Sequence, residues 1–140
     1  MTIITSSGSI ENAGTLTAGQ LALKDSASVT NSKGGTASFD SIVDESTETM
    51  NFLNVVDITT TKLTTTINNR GTIVVGGDVS VKDLKNNDED ASFTVTDGDL
   101  TASSITNVGT VNIGGDVSGF TSTIIANSKG WDLSKLSDID

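Results

Sequence analysis

The amino-acid sequence predicts an all-β fold, a single right-handed parallel β-helix (β-solenoid) of about seven coils of about 19 residues each. The first observation behind this prediction is self-similarity. The pentapeptides NAGTL (12–16), NRGTI (69–73) and NVGTV (107–111) share one pattern. The second observation is that apolar and polar residues alternate in short runs, as half-buried strands require.

Each period is expected to contain about three short strands. The pairs Ile73/Val75 and Val111/Ile113 each skip one residue, so both members of a pair point to the same side of a strand. Gly, Asn and Asp separate the runs and favour corners. Strands that recur at a fixed period pair in parallel with their equivalents one coil away.

An Asn column marks one corner of the predicted coil. Steps of 19 residues from Asn12 fall on an Asn or beside one each time. The predicted corner ladder consists of Asn12, Asn31, Asn51, Asn69, Asn87, Asn107 and Asn127. Asn tolerates the left-handed corner conformation, and stacked side-chain amides can hydrogen-bond along the rod. Gly71 and Gly109, two residues after their Asn, are expected to supply positive φ.

The chain divides into three parts by its repeat pattern. Residues 1–8 are a strand-like N-terminal segment and a candidate assembly joint, and residues 9–128 carry the repeats. Residues 129–140 leave the repeat and form either a cap or a tail that resembles an uncleaved type I secretion signal. The first eight residues lack a basic region and an apolar run, so no cleavable signal peptide is expected.

Composition excludes several classes of function. The chain has no Cys and no His, which removes zinc fingers, haem and iron–sulfur sites, thiol nucleophiles and Ser-His-Asp triads. Eight basic and eighteen acidic residues give a net charge of −10, so nucleic acid is not an expected partner. No run is long and apolar enough for membrane insertion. We expect no enzyme activity, because nothing indicates a deep cleft with paired carboxylates.

The repeat resembles a known family. The pattern Ile-x-Asn-x-Gly-Thr followed by alternating apolar residues is similar to the haemagglutination-type β-helix repeats of filamentous haemagglutinin and related bacterial adhesins. The resemblance covers about residues 9–127. It implies a right-handed β-helix that serves as a cell-surface or matrix rod. This chain departs from the family in its short length and in lacking a visible signal peptide and a secretion domain.

Acidic corners give a candidate calcium site. Three carboxylates lie close together in sequence at Asp88, Glu89 and Asp90, and Asp97 and Asp99 follow shortly after. Ca²⁺ takes six to eight oxygen ligands of this kind. The alternative is ordinary turn chemistry at solvent-exposed corners. Calcium is therefore the one cofactor that the sequence suggests.

Self-assembly is the function that the sequence favours. A solenoid whose end strands are uncapped invites head-to-tail stacking into a filament. The expected joint places Ile3 and Ile4 of one copy against Ile124 and Ile125 of the next. The predicted function is thus a self-assembling subunit of an extracellular biofilm-matrix or surface fibre. The alternatives are a monomeric adhesin-like binding module and a cytoplasmic bactofilin-like polymer, and cell-surface polysaccharide is a further candidate partner.

Overall fold

The computed structural model of the chain describes residues 3–5, 8–118, 125–126 and 130–136. This part of the chain is all β-strand and connecting corners, with no helix. The strands are β1 (Ile3–Thr5), β2 (Ser9–Asn12), β3 (Thr15–Thr17), β4 (Gln20–Leu23), β5 (Ser28–Asn31), β6 (Thr36–Phe39), β7 (Ser41–Asp44), β8 (Thr47–Phe52), β9 (Val56–Thr61), β10 (Thr66–Asn69), β11 (Thr72–Val75), β12 (Val79–Asn86), β13 (Ser92–Val95), β14 (Leu100–Asn107), β15 (Thr110–Ser118), β16 (Ile125–Ala126) and β17 (Gly130–Leu136).

Fifteen of these strands form one parallel sheet that winds as a solenoid of about five turns. The winding produces three faces, each a stack of parallel strands. Face A comprises residues 9–12, 28–31, 66–69, 83–86, 104–107 and 125–126. Face B comprises residues 15–17, 36–39, 72–75, 92–95, 110–113 and 130–133. Face C comprises residues 3–5, 20–23, 41–44, 79–81, 100–102, 116–118 and 135–136.

The core fills the space enclosed by the three faces with side chains in register, mostly aliphatic, together with Phe39 and Phe93. On face A, Val29, Ile67, Leu84 and Ile105 stack one above another, and each is at most 1% exposed. Strands on all three faces alternate between buried and partly exposed residues. The predicted period-2 burial is therefore confirmed. Medium-sized aliphatic side chains suit this narrow interior because each must fit between equivalent residues of the neighbouring coils.

The predicted number of coils, seven, is higher than the about five turns of the structure. One of the coils that the structure lacks is the one that the sequence places at Asn51. Strands β8 and β9 instead pair with each other as an antiparallel hairpin outside the solenoid sheet. The chain reverses at Leu53 and Asn54, which have φ of 54° and 55°. This hairpin leaves face C after Asp44, and the chain returns to face A at Thr66.

A ladder of buried Asn side chains runs along the end of face A. Each Nδ2 donates to the Oδ1 of the next rung, at 2.9 Å from Asn12 to Asn31, 3.0 Å from Asn31 to Asn69, and 2.9 Å from Asn69 to Asn86 and from Asn86 to Asn107. The steps are 19, 38, 17 and 21 residues, and the step of 38 contains the hairpin. The ladder therefore tolerates corners of different lengths while keeping its rungs in register.

Two of the predicted rungs differ in the structure, and a third lies outside the described residues. The fourth rung is Asn86, because face A places that residue and not Asn87 beside Asn69 and Asn107. Asn51 lies in the hairpin and donates to Asp57 Oδ1. Asn127 lies outside the described residues, and Ala126 is the residue that pairs with Asn107. An alanine side chain cannot accept a hydrogen bond, and Asn107 Nδ2 is buried without a hydrogen-bond partner in the described part of the chain.

Each Asn also fixes the corner between faces A and B. Asn69 Nδ2 donates to Ser92 O at 2.8 Å, and Asn69 Oδ1 accepts from Gly71 N at 3.1 Å. The predicted positive φ at Gly71 and Gly109 is wrong, since the only positive-φ glycine among the described residues is Gly34. Gly71 is required for close approach instead. A Cβ there would lie 2.3 Å from Gly35 O in the preceding coil.

Replacing Asn69 with Ala is expected to destabilise the protein more than replacing Asn107. Asn69 both donates to and accepts from neighbouring rungs, so Asn69→Ala leaves several buried groups unpaired and should cost about 3 kcal/mol. Asn107→Ala also removes a donor that has no partner, and it should cost about 1–2 kcal/mol. Denaturant unfolding followed by circular dichroism measures both values.

The matched controls are the two Asn residues that the sequence wrongly places in the ladder. Asn51→Ala and Asn87→Ala change exposed residues and should alter the free energy of unfolding by less than about 0.5 kcal/mol. Equal losses for all four variants would show that the ladder contributes nothing beyond the general cost of removing an Asn.

Candidate functional site

The corners between faces A and B vary in length from coil to coil, and this variation shapes the lateral surface. The corner at Arg70 has only residues 70–71 between its strands. The corners of the flanking coils are longer and comprise residues 32–35 and 87–91. A short corner between two long ones leaves a recess at the edge of face A. We call this recess the corner notch.

The corner notch encloses a cavity of about 460 Å³. Its lining side chains come from three successive coils and are all hydrogen-bond donors. They are Thr30, Ser32, Lys33, Asn68, Arg70 and Asn87. None of them is a carboxylate, although the chain carries eighteen acidic residues, and none is aliphatic or aromatic.

Charges at the rim of the notch differ in how well they are paired. Lys33 Nζ lies 3.7 Å from Asp88 Oδ2 and 3.8 Å from Asp90 Oδ2. The backbone N–H of Asp90 donates to Asp88 Oδ1 at 2.9 Å. This hydrogen bond, together with the positive charges of Lys33 and Arg70, holds the pKa of Asp88 below its usual range. Asp88 is thus an ionised carboxylate that already has its own partners.

Arg70 is the only arginine of the chain, and its side chain is exposed at the short corner. Its backbone N–H donates to Asn31 O at 2.8 Å, which fixes the position of the Cα atom. Its guanidinium forms no hydrogen bond or ion pair with the residues that the structure describes. The notch therefore presents a cation carried by a fixed backbone position, with five N–H donors that make no hydrogen bond within the described residues.

The residues predicted as calcium ligands lie at two different corners. Asp88, Glu89 and Asp90 belong to the corner between faces A and B, whereas Asp97 and Asp99 belong to the next corner, between faces B and C. Within the described ranges, no three acidic side chains are grouped so that they could hold a metal ion. The structure does not bring the five residues together.

Aspartates at the corner between faces B and C accept hydrogen bonds from neighbouring coils. Asp99 N donates to Asp78 Oδ1 at 2.9 Å, and Asp116 N donates to Asp99 Oδ1 at 2.8 Å. These carboxylates therefore satisfy backbone donors at a turn, as Asp commonly does. All three side chains are exposed.

The hairpin of β8 and β9 was not predicted, and it carries the exposed large apolar side chains of the described surface. Leu53 and Val55 at its tip are 77% and 81% exposed, and Met50, Val56 and Ile58 on one face are 41–55% exposed. The other face is polar, with Thr49 bonded to Thr59 and Asn51 to Asp57. Asn51 lacks the Gly-Thr that follows Asn12, Asn69 and Asn107, but so does the ladder residue Asn86, so this difference alone does not identify the hairpin.

Asp44 anchors the base of the hairpin. This buried carboxylate accepts from Ser46 N at 2.9 Å, from Thr64 N at 2.8 Å, and from Thr65 N and Oγ1 at 3.0 and 2.7 Å. Burial alone would raise its pKa, but the hydrogen bonds from Ser46, Thr65 and Thr64 together hold the pKa below its ordinary value. The ionised carboxylate therefore closes the insertion onto face C.

At each end of the described solenoid, the strands pair on one side only. β1 pairs with β4, β2 with β5, and β3 with β6 at the first coil. β16 pairs with β14 and β17 with β15 at the last coil. Of the predicted joint residues, Ile3 and Ile4 lie in β1 opposite Leu21 and Ala22, Ile125 lies in β16, and Ile124 is outside the described residues.

Comparison with known proteins gives no relative: no family model matches the chain, and neither does any curated protein or solved structure. The resemblance to haemagglutinin-type repeats consequently remains a prediction from the sequence. The described residues contain no helix long and apolar enough to cross a membrane.

Replacing Asp44 with Asn is expected to destabilise the protein at neutral pH by about 1–3 kcal/mol, because the amide presents a donor group to three residues that donate. The folded-state pKa of Asp44 is lowered, so its contribution is present above the unfolded pKa of about 3.9 and is lost as the pH falls through the folded pKa. Denaturant titrations at pH 7 and pH 2.5 should show the difference between the two proteins shrinking at the lower pH.

Asp57→Asn is the control for this experiment. Asp57 is exposed and accepts one described hydrogen bond, from Asn51, so the substitution should change stability by less than about 0.5 kcal/mol. A deficit of Asp44→Asn that stays constant with pH would contradict the role given to the ionised carboxylate.

Proposed function

We propose that this chain is a structural subunit that assembles head to tail into a filament, an extracellular bacterial matrix or surface fibre. The observation that supports it best is the one-sided pairing of the strands at both ends of the described solenoid. An unpaired strand edge is a row of free backbone donors and acceptors, and it serves as a template for another chain.

The geometry of the repeat supports this assembly. Adding a coil of a second copy would extend each of the three faces by one parallel strand at the usual spacing of about 4.8 Å. The contact would join two different surfaces, and such heterologous contacts generate open filaments when they do not close into rings. The net charge of −10 on each copy opposes association, so salt should promote it by screening.

The proposal also includes the handedness of the winding and the location of the fibre. Right-handed winding is favoured, because crossovers between parallel strands of one sheet are right-handed in almost every known case. The likeness of residues 129–140 to a type I secretion signal supports export from the cell. A bactofilin-like polymer in the cytoplasm would use the same end contacts, and fractionation of cells and culture medium separates the two locations.

One observation favours a second function, that of a monomeric binding module. The hairpin projects from the solenoid, and its exposed residues include Leu53 and Val55 at the tip. Exposed apolar patches on soluble proteins commonly mark contacts with other molecules. The mass of the purified protein in solution distinguishes this function from filament formation.

Replacing Thr17 with Pro is expected to impair assembly while preserving the fold. Ala18 N donates to Ser38 O, so the neighbouring N–H of Thr17 points away from β6 and toward the open edge of the first coil. A proline removes that N–H but no hydrogen bond between the residues that the structure describes. Sedimentation and negative-stain electron microscopy should show that the concentration needed for filaments rises at least about tenfold.

Thr17→Val is the matched control, because valine keeps the N–H and favours strands, and it should assemble like the wild type. Circular dichroism verifies that both variants are folded. Equal assembly of the Pro and Val variants would show that the β3 edge is not the joint. A wild-type protein that stays monomeric at high concentration with salt and Ca²⁺ would overturn the filament proposal in favour of the binding module.

A further inference from the structure

We propose that the corner notch is a binding site for the carboxylate groups of an acidic polysaccharide, with Arg70 as its central contact. The notch lies on the side of the solenoid, and none of its lining residues belongs to a strand that pairs on one side only, so this site does not depend on filament formation. The inference rests on three features: a recess kept open by the backbone, a cation without a hydrogen bond or ion pair in the described part of the chain, and walls of hydroxyl and amide groups.

The recess is a fixed property of the backbone. Strands on both sides of Arg70 are held by the Asn ladder, with Asn69 bonded to Asn31 in the coil before and to Asn86 in the coil after. Gly71 cannot carry a side chain, because a Cβ there would lie 2.3 Å from Gly35 O and 2.6 Å from Ser32 O. The only side chain that the short corner projects is therefore that of Arg70.

The charges favour an anionic ligand in spite of the acidic character of the chain. Arg70 has no hydrogen bond or ion pair to any residue in the described ranges, whereas Asp88 is occupied by Asp90 N and Lys33. A guanidinium presents a planar fork that matches a carboxylate with two parallel hydrogen bonds. Asp88 at the rim of the notch is thus partly neutralised by Lys33. The Arg70 guanidinium acts on Asp88 through its charge but makes no hydrogen bond or ion pair with the described residues.

The walls favour a sugar over a peptide. Hydroxyls of Thr30 and Ser32 and amides of Asn68 and Asn87 can bond to sugar hydroxyls and ring oxygens. An acidic peptide would present aliphatic stems and a backbone, and the lining contains no apolar side chain to receive them. The volume of about 460 Å³ lies within the range of about 300–1,000 Å³ that small-ligand sites occupy.

The experiment titrates the full-length protein with hexagalacturonate, a defined chain of carboxylated sugars, and with neutral maltohexaose. Nuclear magnetic resonance follows the side-chain amides of Asn68 and Asn87 and the Arg70 Nε–H group. Hexagalacturonate should shift these signals saturably and maltohexaose should not. The affinity should also fall when salt is raised, as expected for an exposed charge contact.

Variants test the role of the guanidinium. Arg70→Gln should weaken hexagalacturonate binding at least about tenfold, and Arg70→Lys should weaken it less, because lysine keeps the charge but not the fork. Lys82→Gln removes the same charge from an exposed position outside the notch and should bind within about twofold of the wild type. All of these variants lie at exposed positions, and their melting curves establish that they are folded.

Several outcomes would overturn the proposal. Equal weakening by Arg70→Gln and Lys82→Gln would indicate general electrostatic attraction and no site. Binding of a hexaglutamate peptide as tightly as hexagalacturonate would assign the notch to acidic proteins. Tighter binding of a sulfated oligosaccharide of the same length would show that carboxylate is not the group recognised.

Discussion

The structure depends on one constraint, the in-register stacking of equivalent residues from coil to coil. Parallel strands offer their backbone groups to the coils before and after, so every face must keep its register for all the others to pair. The Asn ladder enforces this register at the end of face A, where each side chain joins two coils and the corner that follows. Because these amides are buried, a slip of one residue would leave several of them unpaired.

Differences in length between one coil and the next are confined to the corners. Ladder steps of 17, 19, 21 and 38 residues all return to the same position, so the extra residues must leave the solenoid between faces. Longer corners around Arg70 create the notch, and the largest insertion creates the hairpin closed by Asp44. Both features that distinguish this chain from a uniform rod are therefore loops on a rigid frame, where binding residues are commonly found.

The sequence predicted the fold class and most of the core, and its errors have a common cause. Period-2 alternation and the Asn-x-Gly-Thr corners are local patterns, so β10, β11 and the rungs at Asn69 and Asn107 could be located from them. The coil count failed because the step of 38 residues across the hairpin equals two regular periods. Steps of 17 and 21 also sum to 38, so the average period concealed the shift from Asn87 to Asn86.

The notch and the hairpin could not be predicted in the same way, because each arises from differences between coils. Arg70 is unremarkable in the sequence and becomes a candidate contact only when the corners at 32–35 and 87–91 are seen to flank it. The five residues predicted as calcium ligands are divided between two corners for the related reason that neighbours in sequence, such as Asp90 and Asp97, lie at successive corners of one coil. In a solenoid, residues that are one coil apart in sequence lie side by side, whereas residues a few positions apart can lie at different corners.

The ladder also has a direction, and this bears on how copies could associate. Every rung from Asn12 to Asn86 donates through Nδ2 toward the following coil, and every rung from Asn31 to Asn107 accepts from the preceding one. Two solenoids joined by equivalent ends would set donors against donors or acceptors against acceptors, and their strands would run antiparallel. Head-to-tail contact keeps both the amide direction and the parallel strand direction. The same polarity that stabilises one subunit therefore favours an open, directional assembly over a closed symmetric dimer.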